Sequence, residues 1–243
     1  MLIDIHVHTS LSRSLPFSQA DMLAQVARAR QQGLGVCALT DHSDAADILA
    51  IHDALDASFP WRQHAYDADG VRLFPGVEVD VAEGVHLLAI GGREAIRRFI
   101  MRLVPGIDAA GYFAAQADLA LFNVIAHPLR PGHELTRLQP ALLPRFDALD
   151  LNAKDLWRAG PEHHAAMLSL SARHGLPLLA GSDAHHPDQL GAVRAELAQP
   201  VTSPAELRDS IRHAPPRLHI HPELRAMVAA AREAKARRRA AGC

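Results

Sequence analysis

Five short apolar runs in this chain each end in a segment that carries histidine or acidic residues. Short apolar runs of this kind are typical of buried strands, and helical stretches separate most of them. In an α/β barrel the carboxyl ends of the strands meet at one face. We therefore predict a barrel-like fold in which the polar segments gather at one face; they are Asp4 to His8, Thr40 to His42, Gly76 to Asp80, His127 with Pro128, and Ser182 to His185.

Strands and helices alternate along the chain without an evident linker. Strands are expected over 2–6, 35–40, 71–79, 85–91, 121–126, 147–151 and 177–181. Helices are expected over 18–33, 43–57, 93–102, 109–118, 134–143, 161–174 and 203–213, with a loop over 58–70 and a short helix or last strand within 188–197. This alternation predicts a mostly parallel sheet, with the strands at 71–79 and 85–91 as a hairpin extension.

Composition places the chain among ordinary globular proteins. Its 243 residues suit one large α/β domain or two small ones, and its formal net charge of −2 gives no general attraction to nucleic acid or membrane. The two cysteines imply no disulfide framework and suit a reducing cytoplasm, which is the expected location. The N-terminus lacks a signal-peptide pattern, and no apolar stretch of about 18 residues predicts a membrane span.

The C-terminal segment differs from the rest of the chain. We expect a barrel domain over 1–221 and a basic, alanine-rich helix or tail over 222–243. A solvated terminal helix that frays at its end is favoured, because no aromatic residue is interspersed among the basic ones. Contact with an anionic surface or with nucleic acid is the alternative.

The spacing of the polar residues predicts bound metal ions. His6 and His8 alternate along a strand, so both imidazoles lie on one face, and Asp183 and His185 repeat this spacing. A carboxylate such as Glu78 can bridge two cations and so reduce their mutual repulsion. Imidazole and carboxylate ligands suit zinc, manganese or iron. Asp4 shares the face of His6 and could orient a ligand imidazole.

At these five segments the chain resembles the PHP (polymerase and histidinol phosphatase) family, over most of residues 1–214. The resemblance implies a distorted (β/α)7 barrel with a metal cluster at the C-terminal ends of the strands. It also implies two to three divalent ions, Mn²⁺, Zn²⁺ or Fe²⁺. The implied ligands are His6, His8, Glu78 and Asp183 for one ion, Glu78, His86 and His127 for a second, and His42 and His185 for a third. For His86 the alternative is an ordinary histidine on a hairpin strand.

The chain departs from the family pattern at one point. Family members supply an aspartate or histidine five or six residues past the second histidine of the first motif, where this chain has Arg13 and Ser14. Neither is an ordinary metal ligand, so the third metal site is expected to lack one ligand. Arg13 could instead supply a fixed positive charge that contacts substrate.

The resemblance implies a hydrolase that acts on a small phosphate ester through a metal-bound hydroxide. His42 or His185 could protonate the leaving group if no metal occupies them. Arg130 stands three residues past His127, at a spacing where some family phosphatases contact phosphate, and its alternative is a surface arginine. Lys154 and Arg158 are further candidates for contacting substrate charge.

Other functions remain open from the sequence. The alternatives are a histidinol-phosphate phosphatase, a 3′–5′ exonuclease on nucleic acid, and a non-enzymatic scaffold that retains metal ligands. The modest charge makes a nucleic acid partner less favoured than a small phosphorylated molecule. The sequence does not fix the oligomeric state.

Overall fold

The structure is a computed structural model that describes residues 1–11 and 15–240. The strands are β1 (Leu2–Val7), β2 (Leu34–Leu39), β3 (Trp61–Arg62), β4 (Ala65–Ala68), β5 (Val71–Asp80), β6 (His86–Ile90), β7 (Phe122–Ile125), β8 (Ala148–Asn152), β9 (Leu178–Gly181), β10 (Val193–Glu196) and β11 (Arg217–Ile220). The α-helices are α1 (Gln19–Gln31), α2 (Ile48–Ser58), α3 (Arg93–Arg102), α4 (Ala109–Ala115), α5 (Ala153–Ala159), α6 (Glu162–His174), α7 (Pro204–His213) and α8 (Leu224–Ala240).

One nearly closed, barrel-shaped sheet carries the fold. Its strands run in the order β11-β10-β1-β2-β5-β6-β7-β8-β9. A parallel bridge between Val7 and Ala184 joins the end of β1 to the segment after β9, which brings the first strand beside the last central one. Helices α1, α3, α6 and α7 pack on strands of this sheet. The expected distorted α/β barrel is confirmed.

The expectation of a mostly parallel sheet is wrong. The neighbours of β6 on both sides, β5 and β7, run antiparallel to it, and β10 runs antiparallel to both β1 and β11. Strand β6 is therefore part of the barrel wall and not an extension from it. Because β6 is reversed, its first residue, His86, lies at the same edge of the sheet as the last residues of the parallel strands.

The segment predicted as a loop, 58–70, instead contains β3 and β4, which form a small antiparallel unit on β5. Two-residue turns join these strands. Gln63 and His64 have φ values of 48° and 68°, and Asp69 and Gly70 have 51° and 96°. Turns with both central residues in the left-handed region match the twist of antiparallel strands. The strands are too short to show an alternating pattern in the sequence.

The helix predicted over 134–143 is replaced by two 3₁₀ helices, Leu135–Arg137 and Pro140–Arg145. Pro140 and Pro144 have no backbone N–H to donate, so a regular α-helix cannot continue through them. The second predicted helix also begins later than expected, at Ile48. Strand β11 was not predicted.

The C-terminal helix α8 is anchored on the barrel by one face. Leu224, Met227, Val228 and Ala231 are buried, and the helix packs on α5 and on the 3₁₀ helix Pro187–Gln189. The opposite face is exposed and basic. The division of the chain at residue 222 stays a prediction. No helix among the described residues is long and apolar enough to cross a membrane.

His52 on α2 should make the stability of the fold depend on pH. It is buried, and burial together with the nearby charge of Arg97 lowers its pKa to about 4 from the ordinary 6.5. The unfolded chain therefore binds a proton at higher pH than the folded chain does. Stability should be complete above about pH 6.5 and should fall by up to about 3 kcal/mol as the pH drops to about 4.

The variant His52→Leu removes this titration. Its free energy of unfolding, measured by denaturant titration, should vary less than that of the wild type between about pH 4 and 6.5. An equal slope in the two proteins would contradict the assignment to His52.

Candidate metal centre

The C-terminal edge of the barrel holds a cluster of buried imidazoles and carboxylates. Strand β1 carries His6 and is followed directly by His8, β2 leads into His42, and β5 carries Glu78. The reversed strand β6 begins with His86, and His127, Asp183 and His185 follow β7 and β9. All eight residues predicted as metal ligands therefore lie together.

The first group of donor atoms is formed by His6, His8, Glu78 and Asp183. The Nε2 atoms of the two histidines are 3.1 Å apart, and Glu78 Oε2 lies 3.5 Å and 3.4 Å from them. Asp183 Oδ1 is 3.5 Å from His8 Nε2. Ligand atoms about 2.0–2.2 Å from a tetrahedral zinc ion would be separated by about 3.3–3.6 Å. Donor atoms of His6, His8 and Asp183 all lie within 4.8 Å of one another, and the distances of Glu78 from both histidines suit it as a further ligand of the same ion.

The second group of donor atoms shares Glu78 with the first. Its other oxygen, Oε1, lies 2.7 Å from His86 Nδ1 and 3.2 Å from His127 Nε2. The two oxygens of Glu78 thus face separate sets of imidazoles, as a carboxylate does when it bridges two cations. Asp80 does not face the cluster in this way; its Oδ1 lies 3.2 Å from His86 Nε2.

The third group of donor atoms consists of imidazoles alone, from His8, His42 and His185. His8 already belongs to the first group, so this set offers only His42 and His185 of its own. Arg13 and Ser14, where the family pattern would place a further ligand, lie outside the described residues. The expectation that a third ion lacks one ligand stays a prediction.

Unsatisfied polar atoms indicate that the cluster fits metal ions. Glu78 Oε2 and His42 Nδ1 are 2.9 Å apart, yet neither makes a hydrogen bond within the described part of the chain. Buried polar atoms without partners are costly, and metal coordination would satisfy donors placed in this way.

The protonation states also suit metal binding. Burial and the neighbouring His42 lower the pKa of His8 to about 3, and burial with Arg130 lowers that of His127. Burial alone would raise the pKa of Glu78, but His42 and His6 hold it well below its ordinary value. The result is neutral imidazoles at His8 and His127 beside an ionised carboxylate, which are the forms that bind divalent ions.

The pKa of His6 is shifted in the opposite direction from that of His8 and His127. Burial would lower its pKa, but Glu78 and Asp150 raise it well above the ordinary value. Asp150 Oδ2 lies 2.9 Å from His6 Nδ1 and so fixes the ring with Nε2 directed at the cluster. The sequence suggested Asp4 for this task, which is wrong, because the Asp4 carboxylate accepts the backbone N–H groups of His6, Ser182 and Gly191.

Two cations lie against the Asp183 carboxylate. Lys154 Nζ is 2.7 Å from Oδ1, and Arg130 Nη2 is 3.1 Å from Oδ2. Asp155 and Asn152 hold Arg130 through its Nε and Nη2 atoms. Within the described residues, Nη1 of Arg130 makes no hydrogen bond, which leaves one edge of the guanidinium for a ligand.

The remaining substrate-contact candidates are not part of this arrangement. Arg158 lies on the exposed side of α5 and makes no ion pair with the cluster among the described residues. Arg13 lies outside the described residues. Asp150, Asn152 and Asp155 were not predicted from the sequence. A signal for two of them was present, because Asp150 and Asn152 alternate at the end of β8 and so lie on one face, as His6 and His8 do.

Backbone strain marks two of the donor residues. His127 and Asp183 have φ values of 34° and 52°, in the left-handed region that residues other than glycine rarely adopt. Such conformations cost energy and concentrate at functional sites. They direct both side chains into the cluster immediately after strands β7 and β9.

Two protein-family models match this chain. The PHP domain model matches residues 4–176, and the PHP-associated model matches residues 161–215. This chain belongs to the PHP domain family, which confirms the resemblance seen in the sequence. No match is found among curated protein sequences.

Solved structures with a similar fold extend over most of the chain. PsfC from Pseudomonas syringae is 22% identical, with a TM-score of 0.79 over 96% of this chain and 97% of that one. The lesion-specific endonuclease Q from Pyrococcus furiosus is 20% identical, with a TM-score of 0.64 over 90% of this chain and 58% of the endonuclease. A candidate metal-dependent phosphoesterase from Bifidobacterium adolescentis is 18% identical, with a TM-score of 0.52 over 86% and 95%. At these identities the likeness concerns the fold.

Metal binding should stabilise the protein through Glu78. At a free Mn²⁺ or Zn²⁺ concentration a hundred times the Kd, stability should rise by about 2.7 kcal/mol over the chelator-treated protein. Glu78→Gln should lose most of this gain, because the carboxylate belongs to two donor groups. Glu94→Gln, an exposed position on α3, should keep it. Thermal unfolding with and without metal provides the measurement.

Two results would contradict these assignments. Equal metal stabilisation of Glu78→Gln and Glu94→Gln would rule out Glu78 as the shared ligand. Elemental analysis that finds three ions per chain would refute the expected defect of the third site.

Gly181 should be required for the contact between Asp150 and His6. A Cβ atom at this position would lie 2.2 Å from Asp150 Oδ1 and 2.5 Å from His6 Cβ. Gly181→Ala should therefore lower the free energy of unfolding by about 3 kcal/mol and weaken metal binding. Gly92→Ala, where a Cβ meets nothing within 4 Å, should cost at most about 1 kcal/mol. Equal denaturation midpoints for the two variants would contradict this packing.

Proposed function

We propose that this protein is a metal-dependent phosphoesterase that hydrolyses a small phosphate ester, such as a nucleotide or a phosphorylated metabolite. The observation that carries the proposal is the pair of Glu78 oxygens, each facing its own set of imidazoles. Divalent ions such as Mn²⁺, Zn²⁺ or Fe²⁺, when bound, lower the pKa of a bound water and neutralise charge on phosphate oxygens. Membership of the PHP domain family supports the same reaction class.

The protein supplies positive charge on one side of the metal centre. Arg130 and Lys154 converge on Asp183 from separate elements, and both are partly buried. With Asp183 bound to metal, these cations would be directed at the oxygens of a phosphate beside it. Nη1 of Arg130 can donate to a phosphate oxygen, and Asp155 and Asn152 keep the plane of the guanidinium fixed for this contact.

The proton for the leaving group has two candidate sources in the cluster. Burial and Lys154 lower the pKa of His185 well below its ordinary value, which suits a neutral metal ligand better than an acid. We therefore favour His42 as the group that protonates the leaving oxygen when no metal occupies it.

Asp183→Asn should test the proposal directly. The change removes a metal ligand and the partner of two cations, so Mn²⁺-dependent hydrolysis of para-nitrophenyl phosphate should fall by at least about a hundredfold. Asp188→Asn serves as the matched control, because Asp188 is exposed and lies close by in sequence. The release of para-nitrophenol gives the rate for the monoester, and bis(para-nitrophenyl) phosphate gives it for the diester.

Further substrates separate the alternatives. Preferred hydrolysis of histidinol phosphate would identify a histidinol-phosphate phosphatase, and degradation of single-stranded DNA from its 3′ end would identify an exonuclease. Endonuclease Q, which shares the fold, acts on DNA lesions. A folded, metal-loaded protein that hydrolyses none of these esters would overturn the proposal.

A further inference from the structure

A cavity of about 570 Å³ opens beside the metal centre, between α5, α8 and the 3₁₀ helix Pro187–Gln189. Lys154 and His185 line the part next to Asp183, and both lie within 3.5 Å of that carboxylate. The wall formed by α8 contributes Arg232, Lys235 and Arg239. The cavity therefore connects the metal centre to the C-terminal helix.

The spacing of the basic residues on α8 produces this wall. Arg232, Lys235 and Arg239 follow one another at intervals of three and four residues, so their side chains lie on one helix face. The buried residues Met227, Val228 and Ala231 anchor the helix against the barrel beside this face. Position along the helix thus fixes which basic side chains reach the cavity.

The charge of the cavity has one sign. Four cations line it, Lys154 among them, and none of the described residues that line it is acidic. Arg232 also lies over the ring of Trp157 at 4.7 Å, which ties α8 to the helix that carries Lys154. A guanidinium stacked in this way still has its N–H groups at the edge for an anion.

Other basic residues of α8 contact other groups. Arg238 pairs with Asp21 on α1, and Arg237 pairs with Glu233 on its own helix. Neither lines the cavity. Arg237 is therefore a matched control for charge on this helix.

We propose that this cavity, which we term the α8 anion site, binds a second phosphate group of the substrate. One phosphate would lie at the metal centre beside Arg130 and Lys154, and the second between Lys154 and the basic wall of α8. Arg130 and Lys154 supply positive charge next to Asp183, and the three cations of α8 supply it at the wall of the same cavity. The assignment rests on the proposed phosphoesterase function.

A second phosphate could belong to a small bisphosphate or to the next nucleotide of a nucleic acid strand. The confined volume is typical of a small-molecule site. The formal net charge of −2 gives no general attraction to a nucleic acid strand. Both observations favour the small bisphosphate.

The test compares two substrates and two variants. The substrates are a short alkanediol monophosphate and the bisphosphate of the same diol. The wild type should show a larger kcat/KM for the bisphosphate, and Lys235→Gln/Arg239→Gln should reduce this preference by about tenfold. Arg237→Gln should retain it. Calorimetry on chelator-treated protein should find tighter binding of the bisphosphate, reduced in the double variant only.

The outcomes separate the α8 anion site from the phosphoesterase function. Hydrolysis of both esters with no preference, and with the double variant equal to Arg237→Gln, would overturn the site and leave the function standing. No hydrolysis, but selective binding that the double variant loses, would support the site and refute the function. A short oligonucleotide whose binding depends on Lys235 and Arg239, when that of the bisphosphate does not, would overturn the small-molecule assignment.

Discussion

The metal centre depends on the contact that closes the barrel between its first strand and the segment after β9. The backbone N–H of Asp183 donates to the carbonyl of His6, and that of His8 donates to the carbonyl of Ala184, both at 2.8 Å. These two hydrogen bonds place Asp183 beside His6 and His8, although the segments are far apart in the chain. The left-handed backbone of Asp183 then directs its carboxylate into the cluster. Strand pairing and ligand geometry are therefore set by the same contact.

Closing the barrel also buries charged carboxylates, and neighbouring positive groups offset the energetic cost of that burial. Burial disfavours the ionised forms of Glu78 and Asp183, yet neighbouring imidazoles and the cations Lys154 and Arg130 hold both pKa values well below the ordinary range. Buried charges persist only when they are paired or bound to metal. In the proposed function, the cations that stabilise Asp183 would also contact a phosphate. The electrostatics of folding and of the proposed reaction thus rest on one set of side chains.

Much of the fold and of the candidate site could be predicted from the sequence, because both depend on local periodicity. Alternation in a strand puts His6 and His8 on one face, and apolar runs located the main strands. The errors have local causes as well: proline prevented the helix over 134–143, and strands as short as β3 show no period. Asp150 escaped notice because its task is defined by His6, which lies on a strand far away in sequence. The role of Lys154 likewise emerges only from its contact with Asp183.

The sequence by itself determined the family and the barrel class and predicted the donor residues, because each of these depends on short segments with a fixed spacing. The family resemblance implied how the donors divide, and only the tertiary structure decided their spacing, since the two oxygens of Glu78 face imidazoles that arrive from different strands. It also decided the place of α8, whose basic residues look like a solvated tail in the sequence. The buried face of that helix sets its rotation on the barrel, and this rotation brings Lys235 to the cavity beside the metal centre.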